Sequence, residues 1–467
     1  MQVPILSGIY ADGGPDIRTN YPVNLTPVIQ QSGISSGYLR PADGITQDGT
    51  GPDVDRGAIN WNGVCFRVMG SKLVSVDRSG AVTTHGDVGN DGKLVTMDYS
   101  FDRLAIASNG NLFYWDNTTL TQVTDPDLGV VVDVKWVDGY FMTTDGESLI
   151  VTELADPTSV NPLKFGSSEI DPDPVEALLK LRNEIYALNR YTIEVFTNIG
   201  GSLFPFQRIE GAQIQKGSIG THSCCVYLES IAFLGSTRNE QPAIYLGVNG
   251  ATTQISTREI DYVLQDYTEA QLETVKLETR NDKNSDLLYV HLPDKTLVYD
   301  NSSSQAAGQP VWSILVTSTN GPAQFRARNM VYCYEQWIVG DPQSGMVGHF
   351  NDKDGQHWGE TVRWEFGTMM VYNGSFGAIF HELELVGLTG RVEFGEESSI
   401  STSYSLDGQT FSQRRFITAG ESGNKTKRLV WRRQGKMRNY RIQRFQGDSS
   451  ARSSFARLEA DIEQLGR

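Results

Sequence analysis

GAINW-NG-VCFRV-MGS-KLVSVD-RSG-AVTT, residues 57–84, contains four short runs of alternating apolar and polar residues separated by three tight turns. Alternation with a period of two is typical of half-buried β-strands. Asn62-Gly63 and Ser79-Gly80 supply the positive φ angles that tight β-hairpins need. The stretch therefore predicts a four-stranded antiparallel sheet with no helix inside it.

The same unit restarts along the chain at intervals typical of a repeat architecture. The restarts lie near Ala58, Leu94, Val131, Val175, Gly217, Lys276 and Ala323, so the spacing ranges from 36 to 59 residues. A four-stranded propeller blade takes about 40–50 residues. A ring protects its edge strands by closing, whereas an open stack needs polar capping units. We therefore predict an all-β fold led by a β-propeller, with seven blades favoured over six.

The longest interval, between the fifth and sixth units, contains a pattern of helical period. Ile260, Val263, Leu264 and Tyr267 share one helical face, and Thr268 is placed to cap a second short helix. This pattern predicts a helical insertion near residues 256–280 on one face of the ring.

Changes in residue composition and in the spacing of apolar residues along the chain predict four segments. Residues 1–56 are rich in Pro, Gly and Asn and are expected to form an irregular N-terminal arm, followed by the propeller at residues 57–354. Residues 355–447 have longer alternating runs, which are typical of a β-sandwich-like domain. Residues 448–467 are expected to form a linker and a short C-terminal helix, because the apolar residues of 455–465 have helical spacing.

Charge is distributed unevenly. The formal net charge is −16 and the pI is near 4.9, which disfavours nucleic-acid binding by the whole surface. Residues 414–444, however, contain eleven basic residues and one acid, Glu421. This basic stretch has three interpretations: a solvated strand face, an interface with an acidic subunit, or direct phosphate contact, which the scarcity of aromatic stacking partners disfavours. The residues predicted to contact a neighbouring subunit, called here the basic strip, are Arg428, Arg432, Arg433, Lys436 and Arg438.

No pattern in the sequence predicts a catalytic, cofactor or metal site. The six histidines lack metal-site spacing, and the four cysteines form no Cys-x-x-Cys pair, so we expect reduced core thiols. Residues 405–411 are similar to the Asp-box hairpin of sialidase propellers, but that motif braces a turn and does not cleave glycans. The first eight residues lack the features of a secretory signal, and no apolar run approaches the roughly 20 residues of a membrane-spanning helix.

Several stretches, spread in order over nearly the whole chain, carry a family resemblance. They are residues 21–25, 35–45, 64–73, 215–217, 267–268, 291–293, 297–300, 302–304 and 428–436. In these stretches the chain resembles the packaged-DNA stabilisation proteins of short-tailed bacteriophages (podoviruses), also called tail accessory factors, tail hubs or nozzle proteins.

The resemblance implies a structural role in the virion tail. It implies a homohexamer below the portal and its adaptor ring, which retains packaged double-stranded DNA and conducts it, without sequence specificity, during ejection. It also implies docking surfaces for a tail needle or plug and for a tailspike or fibre, and residence in the host cytoplasm during assembly. It implies no enzyme activity, no cofactor and no membrane partner. The alternative hypothesis is a carbohydrate-active propeller, either a glycan hydrolase or a glycan-binding module.

Overall fold

The computed structural model describes residues 1–11, 16–30, 34–374, 376–392, 395 and 398–466. These residues form mainly β-strands, with three short α-helices and one 3₁₀ turn at Pro126–Leu128. The N-terminal strands are β1 (Gln2–Val3), β2 (Gly8–Ala11), β3 (Ile17–Asn20), β4 (Leu25–Ile29), β5 (Gly37–Pro41) and β6 (Gly44–Thr50). Among the described helices, none has the length and apolar character needed to cross a membrane.

Seven antiparallel sheets of the described chain repeat the predicted unit. Blades 1 and 2 contain β7 (Asp55–Trp61), β8 (Val64–Met69), β9 (Lys72–Val76) and β10 (Val82–Asp87), then β11 (Thr96–Tyr99), β12 (Leu104–Ser108), β13 (Asn111–Trp115) and β14 (Leu120–Gln122). Blades 3 and 4 contain β15 (Asp133–Val137), β16 (Tyr140–Thr144), β17 (Ser148–Thr152) and β18 (Val160–Ser167), then β19 (Val175–Leu181), β20 (Glu184–Asn189), β21 (Ile193–Asn198) and β22 (Phe206–Arg208).

The remaining three blades follow the same plan with two exceptions. Blade 5 has a fifth strand, and the outermost strand of blade 7 comes from the N-terminal segment. Blade 5 contains β23 (Gly217–Ser218), β24 (Cys224–Tyr227), β25 (Ser230–Ser236), β26 (Ala243–Val248) and β27 (Ala251–Gln254). Blade 6 contains β28 (Lys276–Asp282), β29 (Ser285–His291), β30 (Thr296–Asp300) and β31 (Trp312–Leu315). Blade 7 contains β32 (Arg328–Cys333), β33 (Gln336–Gly340), β34 (Met346–Asn351) and, as its outermost strand, β6.

The ring closes at blade 7. One strand of each blade contacts its counterparts in the two neighbouring blades, in a cycle that runs through β7, β11, β15, β19, β24, β28 and β32 and returns to β7. β6 pairs antiparallel with β34, so that Gly44 lies opposite Asn351 and Thr50 opposite Met346. Blade 7 therefore joins the two ends of the propeller without a covalent bond. The prediction of a propeller with seven blades is confirmed.

The prediction that residues 1–56 form an irregular arm is wrong for the described part of this segment. β6 completes blade 7, and β4 and β5 belong to a sheet of the C-terminal domain. The Gly content suggested loops, but it allows close approach of strands. A Cβ atom on Gly49 would collide with the carbonyl oxygen of Gly80 in blade 1. The partners of these strands are distant in sequence, so local pattern does not reveal them.

Carboxylates on the first strands link successive blades. The pairs of backbone N–H donor and carboxylate acceptor are Trp136 with Asp98, Leu178 with Asp133, and Asn329 with Glu278, at 2.8, 2.8 and 2.9 Å. Each pair joins one blade to the next. Because an inward-facing N–H without a partner would destabilise the fold, these acids have a structural role. Some of the acidic residues of the chain therefore lie between the blades and not on the surface.

Two short helices lie within the segment predicted as a helical insertion. Helices α1 (Arg258–Gln265) and α2 (Glu269–Leu272) follow β27, and Thr268 caps α2 in a reciprocal capping box with Gln271. A third helix, α3 (Asn301–Ala307), begins after Asp300, whose side chain accepts a hydrogen bond from the Ser303 N–H. The sequence pattern did not predict this third helix, because its residues Asn-Ser-Ser-Ser-Gln-Ala-Ala have no amphipathic period.

The C-terminal domain is a β-sandwich of two sheets. Its strands are β35 (Arg363–Gly367), β36 (Val371–Tyr372), β37 (Ala378–Leu388), β38 (Ser399–Ser405), β39 (Arg415–Thr418), β40 (Leu429–Met437), β41 (Tyr440–Asp448) and β42 (Ser454–Gln464). The first sheet has the order β4-β5-β42-β37-β40, with β1 also paired to β42, and the second has the order β35-β41-β38-β39, with β36 also paired to β41. A core that includes Trp364, Phe445 and Phe455 lies between the sheets.

The prediction of a linker and C-terminal helix at residues 448–467 is wrong. Residues 454–464 form β42, which lies between β5 and β37 in the first sheet. Phe455 and Leu458 are both buried, and this spacing of three resembles a helical face. It arises from a β-bulge, since Arg457 pairs with Val386 and Phe455 pairs with Gly387, which leaves one extra residue in β42.

The sandwich packs on blades 6 and 7. The backbone N–H of Asn24, just before β4, donates to the carbonyl of Ile314 in blade 6 at 2.8 Å. Arg280 of blade 6 forms an ion pair with Asp43 at 2.7 Å, and both side chains are buried. These contacts place β4 against the propeller and leave β40, at the opposite edge of the same sheet, farthest from it.

Candidate functional site

The basic strip lies along β40, which is the outer edge of the first sandwich sheet. Arg432, Arg433 and Lys436 belong to the strand, Arg428 precedes it, and Arg438 follows it. All five residues are exposed. The structure therefore brings the five predicted interface residues together on a single sheet edge.

Two members of the strip are paired within the chain. Arg428 donates two hydrogen bonds to Glu384, at 2.7 and 2.5 Å, and the Nε of Arg432 lies 3.2 Å from a carboxylate oxygen of Glu382. The hydrogen bonds from Arg428 lower the pKa of Glu384. Sequence reasoning missed both acids because they lie on β37, more than 40 residues away. The alternating Glu-Leu-Glu at 382–384, within the predicted β-sandwich-like domain, was the available signal.

The other three members of the strip are available for external contacts. Among the described residues, no carboxylate forms an ion pair with Arg433, Lys436 or Arg438. Arg433 has a φ of 57° and Gly435 a φ of 86°, and the pairing with β37 shifts register at this point. This bulge interrupts the regular edge, which hinders uncontrolled strand addition while leaving the cations exposed.

Two other basic residues of the stretch 414–444 stack on aromatic rings, and one of them, Arg441, is buried. Arg441 is 1% exposed, lies 3.9 Å from the ring centre of Tyr404 and 4.3 Å from that of Phe380, and donates to the carbonyl of Gln434 at 2.7 Å. Arg444 lies 3.7 Å from the ring centre of Phe411. Arg441 therefore does not contribute to the surface charge of this stretch, because its guanidinium group stacks on aromatic rings inside the sandwich. Arg444 is 24% exposed and remains partly at the surface.

The second sheet adds an apolar residue beside the strip. Phe416 on β39 is 62% exposed. Arg415 connects the two edges, since its side chain donates to the carbonyl of Arg433 at 2.7 Å and its own carbonyl accepts from the indole of Trp431 at 3.0 Å. The edge of the sandwich thus presents cations and one exposed aromatic ring side by side.

The axis of the propeller holds a separate cavity of about 630 Å³. Its lining includes Arg56, Glu176, His222, Glu273 and Arg328. Burial lowers the pKa of His222 to about 3, and the nearby Lys276 adds to this effect. Burial, together with the charge of Glu273, raises the pKa of Glu176 to about 6. Side chains from blades 1, 4, 5 and 7 converge on the axis at this cavity.

The remaining chemical motifs have structural partners. Asp407, in the hairpin similar to an Asp box, accepts hydrogen bonds from the Thr410 hydroxyl and from the backbone N–H groups of Gln409 and Thr410, the latter two at 2.9 and 2.8 Å. These bonds, the one from the Thr410 hydroxyl first, lower the pKa of Asp407 and brace the turn. The four cysteines are free thiols, three of them buried. Over the described residues, no group of three or more His, Cys, Asp and Glu side chains is arranged to hold a metal ion.

Comparison with known protein families shows which family the chain belongs to. A family model described as the β-propeller of bacteriophage P22 Gp10 matches residues 1–354, and one described as the β-sandwich of the same protein matches residues 363–463. The chain belongs to the bacteriophage P22 Gp10 family. The propeller model of this Gp10 family starts at residue 1, in agreement with the placement of β6 in blade 7.

One curated relative matches along almost the whole chain. The tail hub protein gp10 of Salmonella phage P22 is 27% identical over 468 residues, and the match covers 94% of each protein. Similarity to solved structures is weaker. Virginiamycin B lyase of Staphylococcus aureus has a TM-score of 0.43 at 9% identity, covering 64% of this chain and 94% of that one. PorZ of Porphyromonas gingivalis has a TM-score of 0.38 at 13% identity, covering 80% and 46%. These two likenesses are too distant to bear on function.

Proposed function

We propose that this member of the Gp10 family is a structural tail hub protein of a short-tailed phage and has no catalytic activity. The observation that carries the proposal is the similarity to the P22 tail hub protein, which spans 94% of both chains and includes the propeller and the sandwich. A match confined to the propeller would have supported no particular role, because propellers serve many unrelated functions.

The geometry supports a role in which several copies act together. Side chains from several blades converge on the propeller axis, so we place the DNA conduit between copies arranged around a common axis and not within one propeller. A homohexamer would carry a formal charge of about −96, six times the −16 of one chain. An acidic lumen would let DNA slide, because it offers few cations to displace the counterions of the phosphates. In this arrangement the ring retains packaged double-stranded DNA and then conducts it during ejection.

The position in the particle follows from the same proposal. The ring lies in the virion tail below the portal and its adaptor ring, and a tail needle or plug and a tailspike or fibre dock to it. Subunits are made in the host cytoplasm before assembly. The unpaired cations of the basic strip contact an acidic neighbour, either another copy or an adjoining ring.

Two measurements test the proposal together. Purified chain is examined by mass photometry, alone and after addition to DNA-filled heads that carry portal and adaptor but lack this chain, and nuclease-sensitive DNA is then measured. We expect rings, in solution or on the heads, and a fall in released DNA on addition of the chain. A stable monomer that binds no head, or that releases reducing sugar from capsular polysaccharide, would contradict the proposal and favour the carbohydrate-active alternative.

A further inference from the structure

Blade 3 has an outer edge unlike those of the other blades. β18 is its outermost strand and pairs only with β17. Two of its large apolar side chains face solvent: Leu163 is 65% exposed and Phe165 is 56% exposed. Among the described residues, the outermost strands of the other six blades expose no large apolar side chain. An exposed apolar edge strand is a site where another chain tends to add.

Neighbouring loops extend this apolar edge. Leu154, from the loop before β18, is 57% exposed, and Ile199 and Leu203, from a loop of blade 4, are 59% and 52% exposed. The blade 4 loop packs on β18 at Gly166, where a Cβ atom would collide with the ring of Phe204. We call these five exposed residues, namely Leu154, Leu163, Phe165, Ile199 and Leu203, the blade-3 edge.

The surroundings of the blade-3 edge are acidic. Residues 153–174 contain five acids (Glu153, Asp156, Glu169, Asp171 and Asp173) and one base, Lys164. Glu153 is paired with Lys164 at 2.7 Å and Asp171 with Arg238 at 3.1 Å, which leaves more acids than bases on this surface. The basic strip has the opposite character, since residues 425–438 contain seven bases and no acid. Each surface also has exposed apolar side chains, with Phe416 beside the strip. The two surfaces are therefore complementary in charge and in polarity.

Within one chain the two surfaces belong to different parts of the fold. In a ring of seven blades, blade 3 lies three blades away from both blade 6 and blade 7, which carry the sandwich. The strip lies on β40, the edge of the sandwich sheet that is farthest from the propeller. The blade-3 edge and the basic strip therefore lie on separate parts of the molecule.

We infer that the blade-3 edge of one copy binds the basic strip and Phe416 of the next copy. A contact between two different surfaces of identical chains is heterologous, and it generates a closed ring when the rotation per copy divides a full turn. This inference rests on the proposed function, which requires several copies around one axis, and adds which surfaces join them. Apolar residues at the centre of the contact contribute affinity, and the opposite charges around them steer the two edges together.

Two double variants test the inference. The strip variant is Arg432→Glu with Arg433→Glu, and the edge variant is Leu163→Lys with Phe165→Lys. A matched control, Tyr99→Lys with Phe101→Lys, changes two exposed aromatic residues at a blade 2 turn, which are 43% and 94% exposed. All six positions are exposed, so thermal melting should stay within a few degrees of the unaltered chain. Assembly is read by glutaraldehyde cross-linking and a denaturing gel, in the condition where the unaltered chain forms rings.

The expected pattern is specific to a head-to-tail contact. Each test variant alone should lose at least nine-tenths of its cross-linked multimers, whereas the control should assemble like the unaltered chain. An equal mixture of the two test variants should give a species of two 51.7 kDa chains and nothing larger, because only one intact contact remains between them. Rings formed by either test variant alone, or a mixture without the two-chain species, would overturn this inference and leave the tail hub proposal standing. An unaltered chain that never forms multimers, in solution or on heads, would overturn both.

Discussion

Arg67 and Asp55 form a fully buried ion pair, 2.8 Å between Nη2 and Oδ2, at the joint where the propeller closes. The guanidinium also donates to the carbonyl of Asn329 in blade 7 at 2.8 Å, and the Asn329 side chain donates to Asp55 at the same distance. Asp55 and Arg67 belong to blade 1, so this network joins the first and last blades. The attraction of Asp55 outweighs burial and raises the pKa of Arg67.

Replacing Arg67 with methionine should destabilise the protein strongly. The change leaves the Asp55 carboxylate buried without a cation, for which losses of about 3–5 kcal/mol are typical. Urea unfolding followed by tryptophan fluorescence measures the loss. As a control, Lys72→Met removes an exposed pair with Asp87, 2.9 Å apart, and should change stability by less than about 1 kcal/mol. Equal effects of the two variants would show that the joint does not depend on the buried pair.

Substitution of Gly348 by alanine should loosen the closure of the ring. A Cβ atom at this position would collide with the carbonyl oxygen of Thr46 on β6, so the strand would have to move away from β34. We expect a loss of about 1–3 kcal/mol, as for overpacked sites, and faster proteolysis within residues 1–50. Gly466→Ala is the control, since a Cβ atom there meets nothing within 4 Å. Unchanged proteolysis of the Gly348 variant would mean that β6 does not hold the ring shut.

Arg441 and Arg438 should respond differently to the same change. Arg441→Ala removes a buried side chain that stacks on Phe380 and Tyr404, and we expect a loss of about 2–4 kcal/mol from lost packing and hydrogen bonds. Arg438→Ala, at an exposed position, should stay within about 0.5 kcal/mol. Chemical denaturation of both variants checks this pair, and a loss of similar size in both would contradict the interior assignment of Arg441.

Glu176 should make stability depend on pH near the axial cavity. Its pKa is raised to about 6 in the folded protein, mainly by burial and then by Glu273, from an ordinary value of 4.5. The contribution of Glu176 to the free energy of unfolding is therefore fully present below pH 4.5 and is lost as the pH rises through about 6. Glu176→Gln should stabilise the protein at pH 8, by about 1 kcal/mol or less because the group is partly exposed to solvent screening.

The control for this effect is Glu210→Gln, at an exposed position outside the cavity. Thermal melting of both variants between pH 4 and pH 8 measures the difference from the unaltered chain. The advantage of the Glu176 variant should disappear toward pH 4, where the native carboxyl is already neutral. A constant advantage across this range would exclude titration of Glu176 as its cause.

Local chemistry explains which parts of the fold were predictable from the sequence. The Asn62-Gly63 turn has φ angles of 53° and 80°, as the dipeptide requires, and Thr268 caps α2 through residues only three positions away. Such features depend on neighbours in the chain. β6 and β42 depend on partners hundreds of residues away or on a bulge, so their residues suggested an arm and a helix instead.

The candidate interface was predictable in position but not in composition. The density of cations from Arg428 to Arg438 identified the edge of the sandwich. Sequence pattern could not separate Arg433, which has no ion pair among the described residues, from Arg441, which is buried against aromatic rings. It also gave no indication that Leu163 and Phe165 face solvent, because their alternation in β18 resembles that of strands whose apolar residues are buried.

The most direct test of the central claim is electron cryo-microscopy of tails from the phage that encodes this chain, with the chain labelled at its N-terminus. We expect a ring of labelled copies next to the portal and adaptor, with each sandwich edge against blade 3 of the next copy. Complete, DNA-filled virions whose tails contain no copy of this chain would contradict the assignment as a tail hub.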